Sequence, residues 1–302
     1  MELLYWFESI RNPVLDVLMS LVTHLGEETF FMVGALLVFW CVDKRKGYYL
    51  LSVGFVGVLV NQWLKIMCRV PRPWVRDPNF TIVESARAEA AGYSFPSGHT
   101  QTAVGFFGGV ARFTGRLWLR FACIVILLLV SISRMYLGVH TPADVGVSFV
   151  TAAVLVLVMY PLMESTLWFP NRIYVILGVL LGCSLAFVGF MEFFPFPADI
   201  DAGNLAEAVK NAYSMTGAVG GMLVVSVFDH RLLQFPTRAP WWGQAVKLLG
   251  GLVLVVLVKS LLKAPLLALC GGHEAAHAVR YFLMVLTAGC VWPMTFRFFE
   301  RY

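Results

Sequence analysis

The sequence predicts an all-α protein, a polytopic bundle of about nine transmembrane helices preceded by an interfacial helix. Of the 302 residues, 59% are hydrophobic and only 14% are charged, and the mean hydropathy is +0.76. Soluble domains are about half apolar and about a quarter charged, so this composition indicates an integral membrane protein. A spanning helix needs about 20 apolar residues, and the chain has room for about eight or nine with short loops.

The N-terminal segment is amphipathic. Apolar residues recur at helical spacing through residues 3–22, while Pro13 and several charged residues interrupt the run. We therefore expect residues 1–27 to form an interfacial helix lying in the membrane plane. Because Glu8 and Arg11 follow Met1 with no basic stretch before the apolar residues, we expect no cleaved signal peptide.

The membrane part begins with the apolar run 30–42, which ends at Asp43 and three basic residues. Further spans are predicted at 48–68, 98–113, 117–134, 144–163, 173–193, 206–228, 244–263 and 277–296. We predict that residues 28–168 form a core and that residues 169–302 add helices to which the sequence assigns no role. If the spans alternate, most Lys and Arg residues flank one side, which should be the cytoplasm.

Three short polar blocks interrupt this apolar pattern. They read Lys65-x6-Arg72-Pro73, Pro96-Ser97-Gly98-His99 and Ser133-Arg134-x5-His140-x3-Asp144. Cationic and imidazole side chains are costly near a bilayer, so they usually serve a function there. This set fits a phosphate group best, with one histidine to attack phosphorus and the other to donate a proton. The orientation above places all three blocks on the extracytoplasmic or lumenal side.

Each block also has a purely structural interpretation. Lys65 and the guanidinium of Arg72 suit a phosphate clamp, but cations at a helix end often only extend to the interface. Ser97 is a candidate N-cap, and Gly98 would let an anion approach the helix start. A capped helix alone would explain both residues, but it would not explain His99.

The third block shows the same overlap between helix capping and chemistry. Thr141, Pro142 and Asp144 match the start of a helix with a capping box. That pattern accounts for neither His140 nor Arg134. A carboxylate one turn after a histidine can fix its tautomer, so His140 would be the nucleophile and Arg134 would hold phosphoryl oxygens.

The three blocks resemble the type 2 phosphatidic acid phosphatase superfamily, and every fixed position of its pattern is present. The resemblance covers residues 65–144 by motif and about 48–165 by core helices. It implies a metal-independent phosphatase without a cofactor. It also implies that phosphate is bound by Lys65, Arg72, Ser97, Gly98 and Arg134, and that the catalytic residues are His140, His99 and Asp144.

Motif residues at helix ends favour a lipid phosphate substrate, such as an isoprenoid diphosphate, a phosphatidate-like lipid or a sphingoid phosphate. The expected location is the plasma membrane, or the ER membrane with a lumenal site in a eukaryote. A layout of about nine spans is similar to the glucose-6-phosphatase and sphingosine-phosphate phosphatase branches. A soluble sugar phosphate therefore stays open as a substrate, as do a non-catalytic lipid or phosphate carrier and a homo-oligomer. The basic residues are scattered, so no nucleic-acid partner is expected.

One further motif suggests a different chemistry. His273-Glu274-Ala275-Ala276-His277 has the form found in zinc metalloproteases. The glycines at 271 and 272 place it at a helix start, and no third ligand is evident in the sequence. We favour a polar helix N-terminus over an intramembrane zinc protease. The six cysteines include no CxxC pair, and we expect free thiols.

Overall fold

The computed structural model describes residues 1–88, 90–164 and 171–299, and all regular elements within these ranges are helices. They are α1 (Glu2–Ser9), α2 (Pro13–Thr23), α3 (Glu28–Leu37), α4 (Lys44–Cys68), α5 (Pro73–Arg76), α6 (Gly98–Ala103), α7 (Gly109–Phe113), α8 (Leu117–Tyr136), α9 (Pro142–Glu164), α10 (Asn171–Phe193), α11 (Ala202–Phe228), α12 (Trp241–Leu261), α13 (Lys263–Leu269) and α14 (Ala275–Leu286). π-Helical turns occupy Val38–Val42, Val104–Gly108, Asp229–Leu233 and Thr287–Val291. The prediction of an all-α membrane protein is confirmed.

Within the described residues, seven helices are long and apolar enough to cross a membrane. Their bounds are Lys44–Arg76, Leu117–Tyr136, Pro142–Glu164, Asn171–Phe193, Ala202–Leu233, Trp241–Leu269 and Ala275–Phe299. The count becomes eight if Pro13–Gly26 and Glu28–Val42 form one span. Together they are long and apolar enough, but their axes are bent by 51° relative to each other. This agrees approximately with the predicted nine. The predicted runs 30–42 and 98–113 are helical, but each is shorter than a full crossing.

The N-terminal segment is two helices rather than one continuous helix over 3–22. The break lies at Asn12, whose side chain accepts a hydrogen bond from Leu15 N at 3.1 Å, with Pro13 as the first residue of α2. Leu4 is buried beside Phe80 and Ile82. The α1 helix therefore packs against the loop that follows α5, as well as presenting apolar side chains outward.

One compact unit comprises residues 1–32 and 56–160, and it contains all three polar blocks. Its core packs the helical segment after Gly98 against α8 and α9 through Ala103, Phe107, Val130 and Ala152. This packing fixes the helix ends at which the polar blocks lie.

A second compact unit comprises residues 33–55 and 161–302. Here α11 and α14 approach closely at Gly217, where an added Cβ would lie 1.9 Å from the Ala278 carbonyl oxygen. The glycines at 217 and 221 therefore allow the two helices to pack closely. The predicted functional division into 1–27, 28–168 and 169–302 stays a prediction, and its boundary at residue 168 lies outside the described residues.

Candidate active site

The first block begins in the last turn of α4. Lys65 lies in the last turn of this helix, and its Nζ donates a hydrogen bond to the Tyr93 carbonyl oxygen. Arg72 precedes α5 in an extended conformation, with φ −63° and ψ 154°. This is the extended geometry that the flanking prolines predict.

The guanidinium of Arg72 is buried, with 6% of the residue exposed. Its Nε, Nη1 and Nη2 donate to the carbonyl oxygens of Gly92, Val139 and Ala91 at 3.1, 3.0 and 2.7 Å. Nη1 also lies 2.9 Å from Nε2 of His140. Backbone carbonyls from two loops thus fix this cation beside the candidate nucleophile.

The second block caps a helix as predicted. The Ser97 side chain accepts a hydrogen bond from Thr100 N at 3.4 Å, and α6 begins at Gly98. A Cβ added to Gly98 would meet no heavy atom within 4 Å, so there is open space above this residue. His99 is half-buried, and it packs closely against Gly26 of the N-terminal segment.

The third block folds back over the end of α8. The Arg134 carbonyl oxygen accepts hydrogen bonds from the amides of Val139 and His140 at 3.2 and 3.3 Å, which returns His140 to the helix end. Arg134 itself is fully buried, and its Nη1 donates to Thr23 Oγ1 at 2.6 Å. Thr23 of α2 therefore holds the second arginine of the site.

Asp144 connects all of these segments. Its Oδ2 accepts from Thr141 N at 2.7 Å while Asp144 N donates to Thr141 Oγ1 at 3.3 Å, which completes the predicted capping box. Ser94 Oγ also donates to Oδ2 at 2.6 Å, and Oδ2 lies 3.6 Å from Nδ1 of His140. Ser97 N donates to the Asp144 carbonyl oxygen at 3.2 Å, which connects the second and third blocks.

The surroundings of His140 favour its neutral form. Burial, followed by the charges of Arg72, Arg134, Lys65 and His99, lowers the pKa of this imidazole well below its usual value. A guanidinium can only donate, so Nε2 of His140 must be the acceptor and Nδ1 must carry the proton. In that tautomer the Nε2 lone pair lies beside the Arg72 cation, and Nδ1 lies 3.6 Å from Asp144 Oδ2.

All eight residues singled out in the sequence lie within this one compact unit. Direct side-chain contacts link Arg72, His140 and Asp144. Two further residues, Ser94 and Thr23, contact the site but were not singled out in the sequence. They bond to Asp144 and Arg134 across 50 and 111 residues. No local spacing could have indicated either one.

The zinc-type motif takes a different arrangement. His273 precedes α14, and its Nδ1 accepts from Ala275 N at 3.1 Å. Both ring nitrogens of His277 have protein partners, Arg280 Nη2 at 2.8 Å and Glu274 Oε2 at 3.1 Å. Across the described ranges, no group of three His, Cys, Asp or Glu side chains is arranged to hold a metal ion.

Comparison with known proteins matches two family models. The PAP2 superfamily model matches residues 45–168. The model described as PAP2 superfamily phosphatase, transmembrane extension, matches residues 213–301. No solved structure gives a significant match.

Similar curated proteins include a probable sphingosine-1-phosphate phosphatase of Dictyostelium discoideum, 31% identical over 48% of this chain and 38% of that protein. Phosphatidylglycerophosphatase B of Bacillus subtilis is 30% identical over 45% of this chain and 69% of its own length. Sphingosine-1-phosphate phosphatase 1 of Mus musculus is 24% identical over 84% of this chain and 61% of its own. The matches thus cover between about two fifths and two thirds of these relatives.

Proposed function

Because the chain belongs to the PAP2 superfamily, we propose that it is a membrane-embedded lipid phosphatase that works through a phosphohistidine at His140. The observation that carries this proposal is the position of the His140 ring. Its Nε2 lies 2.9 Å from Arg72, and its Nδ1 faces Asp144. That is the arrangement a histidine needs in order to attack phosphorus and to bear the resulting charge.

In the proposed first step, Lys65, Arg72 and Arg134 hold the phosphoryl oxygens, while Ser97 and Gly98 line the helix start. An entering phosphate accepts the hydrogen bond from the Arg72 Nη1 that now contacts His140. This exchange frees the Nε2 lone pair. Nε2 then forms a bond to phosphorus as the bond to the leaving oxygen breaks. His99 gives that oxygen its proton, and Asp144 stabilises the positive charge on the His140 ring.

In the second step, water attacks the phosphohistidine. His99, now neutral, accepts a proton from this water as the new phosphorus–oxygen bond forms. The phosphorus–nitrogen bond breaks, and its electron pair returns to Nε2 of His140. Phosphate leaves, and both histidines regain their starting states.

A lipid substrate is favoured by the position of the site at the ends of membrane helices. The site lies at the C-terminal ends of α4 and α8 and at the N-terminal ends of α6 and α9, whereas Arg112, Arg116 and Arg120 flank the opposite ends of α7 and α8. By the positive-inside rule the site then faces the extracytoplasmic side. Sphingoid phosphates are the first substrates to test, because the alignment with the mouse sphingosine-1-phosphate phosphatase includes both halves of this chain.

The proposal is tested by measuring phosphate release from sphingosine phosphate, polyprenyl diphosphate, phosphatidate and glucose 6-phosphate by the purified chain in EDTA. Metal-independent release from a lipid is the expected result. Release from glucose 6-phosphate alone would favour a soluble sugar phosphate instead. Phosphate binding without release from any of the four, by a folded protein, would favour a carrier.

Ser94 offers a test of the role of Asp144. In Ser94→Ala the Asp144 carboxylate loses a buried hydrogen bond, which is worth about 1.5–3 kcal/mol for a charged acceptor. We expect kcat/KM for phosphate release to fall by about tenfold to a hundredfold. Ser148→Ala is the matched control, because this buried hydroxyl donates to the Asp144 backbone carbonyl oxygen at 3.0 Å. Equal rates in the two variants would show that the Ser94 hydrogen bond does not support the role of Asp144.

Thr23 offers a test of the N-terminal segment. Thr23→Val keeps the side-chain shape but removes the acceptor that fixes Arg134. We expect the KM for the lipid substrate and the Ki of the phosphate analogue vanadate to rise by about tenfold, with a smaller change in kcat. Ser20→Ala on the same helix is the control, since Ser20 bonds to the exposed Ser85. A loss confined to kcat would contradict a phosphate-binding role for Arg134.

A further inference from the structure

A third buried arginine lies in α14, outside the three polar blocks. Arg280 is 6% exposed and belongs to the candidate span Ala275–Phe299. Its Nη2 contacts Nδ1 of His277 at 2.8 Å, and its Cζ lies 5.2 Å from the centre of the Tyr281 ring. Its Nε is buried without a hydrogen-bond partner, and within the described part of the chain no carboxylate forms an ion pair with Arg280.

This arrangement leaves the charge of Arg280 without a direct counter-ion. A guanidinium only donates hydrogen bonds, so Nδ1 of His277 must accept and Nε2 must carry the proton. Nε2 lies 3.1 Å from Glu274 Oε2, which puts one neutral imidazole between the cation and this carboxylate. Placing an unpaired cation inside a membrane span is unfavourable, and such residues usually bind a partner.

Neighbouring side chains add positive charge. Lys210 lies on α11 and Lys263 on α13, two helices that pack against α14, and both lysines are exposed. Besides Glu274, Glu192 lies nearby, and it accepts a hydrogen bond from Tyr213 at 3.1 Å. The Tyr213 ring in turn packs edge-on against His273. Arg280 and the two lysines thus supply three positive charges in this part of the unit, where Glu274 and Glu192 supply two negative charges.

Arg280 lies near the N-terminal end of its candidate span. It lies five residues after the start of α14, or about 7.5 Å along the helix axis at 1.5 Å per residue. The polar layer on each side of a bilayer is about 5–7 Å thick. A helix that enters the polar layer at its first residue would bring this guanidinium to the level where phosphate groups meet the acyl chains.

We propose that Arg280, assisted by Lys210 and Lys263, forms a second anion site that binds the phosphate of a membrane lipid headgroup. A phosphate supplies the missing negative charge and presents several acceptor oxygens to the planar guanidinium. In this site the His273–His277 motif has a role other than zinc binding, because His277 contacts Arg280. It binds lipid without hydrolysing it, and it does not depend on the chemistry proposed at His140.

The test counts phosphatidylglycerol molecules bound to the purified full chain by native mass spectrometry. Arg280→Met is expected to lose one bound lipid, with at least tenfold weaker binding at that site. Arg231→Met is the control, since it removes an exposed cation from the same unit. In an Arg72→Gln background, Arg280→Met should still lose one bound lipid, which separates this site from the catalytic one. If inorganic phosphate binds to the wild type but not to Arg280→Met, while phosphatidylglycerol binds equally to both, the site is one for free phosphate and the proposal is overturned.

A second measurement separates lipid binding from a purely structural role. Phosphatidylglycerol should raise the Tm of the wild type but not that of Arg280→Met, while the two proteins should have similar Tm values in neutral detergent. An equal number of bound lipids in folded wild type and Arg280→Met would overturn the proposal. If Arg280→Met does not fold, the Lys210→Gln/Lys263→Gln variant decides. We expect severalfold weaker lipid binding there, and unchanged binding would overturn the proposal.

Discussion

Replacement of His140 by alanine should lower phosphate release by about 10⁴-fold or more, to the level of the assay background. The substitution removes the Nε2 lone pair, and no other described side chain occupies its place between Arg72 and Asp144. Phosphate release from the preferred lipid, measured at saturating concentration, checks this expectation. Vanadate binding should persist in the variant, because the three cations that hold the phosphoryl group remain.

The control for this variant is His24→Ala. His24 lies in the same compact unit, but its side chain is 51% exposed and contacts Glu27. We expect near-normal turnover from this control. Substantial activity in a folded His140→Ala protein would contradict the proposed nucleophile, since no route to a phosphohistidine at this position would exist.

Replacement of His99 by alanine should lower turnover of lipid substrates by about 10²–10⁴-fold, the usual contribution of a positioned acid or base. A lipid alcohol is a poor leaving group and needs a proton as its bond to phosphorus breaks. p-Nitrophenolate leaves without one, so the first step with p-nitrophenyl phosphate should be nearly unaffected. The second step should remain slow, because His99 also accepts the proton of the attacking water.

These two effects together predict a burst. Rapid mixing of His99→Ala with p-nitrophenyl phosphate should release about one p-nitrophenol per enzyme, followed by a slow steady rate. Equal losses for the lipid and for p-nitrophenyl phosphate, without a burst, would assign His99 to phosphate binding instead. An unchanged steady rate for the lipid would remove His99 from the mechanism.

Local sequence patterns predicted much of this architecture. The caps at Ser97 and Thr141 follow from residue types within one helical turn, and the structure has both hydrogen bonds. The conformation of Arg72 follows in the same way from its flanking prolines. Such features depend on neighbours in the chain, so a sequence contains the information needed to find them.

Contacts between distant segments were not predictable on the same basis. Ser94 and Thr23 reach the site only because the loop before α6 and the helix α2 pack onto the ends of α8 and α9. The N-terminal segment shows the same limit. Its amphipathic pattern predicted an interfacial helix, whereas the burial of Leu4 against Phe80 depends on a loop more than 70 residues away.

The most direct test of the phosphohistidine mechanism is to trap the covalent intermediate. His99→Ala, mixed with ³²P-labelled substrate and quenched in alkali, should carry a label that is stable in base and lost in acid. Peptide mass spectrometry should place the phosphate on His140, and the label should be absent from the His99→Ala/His140→Ala double variant. Hydrolytically active protein whose label lies on another residue, or persists in the double variant, would contradict a phosphohistidine at His140.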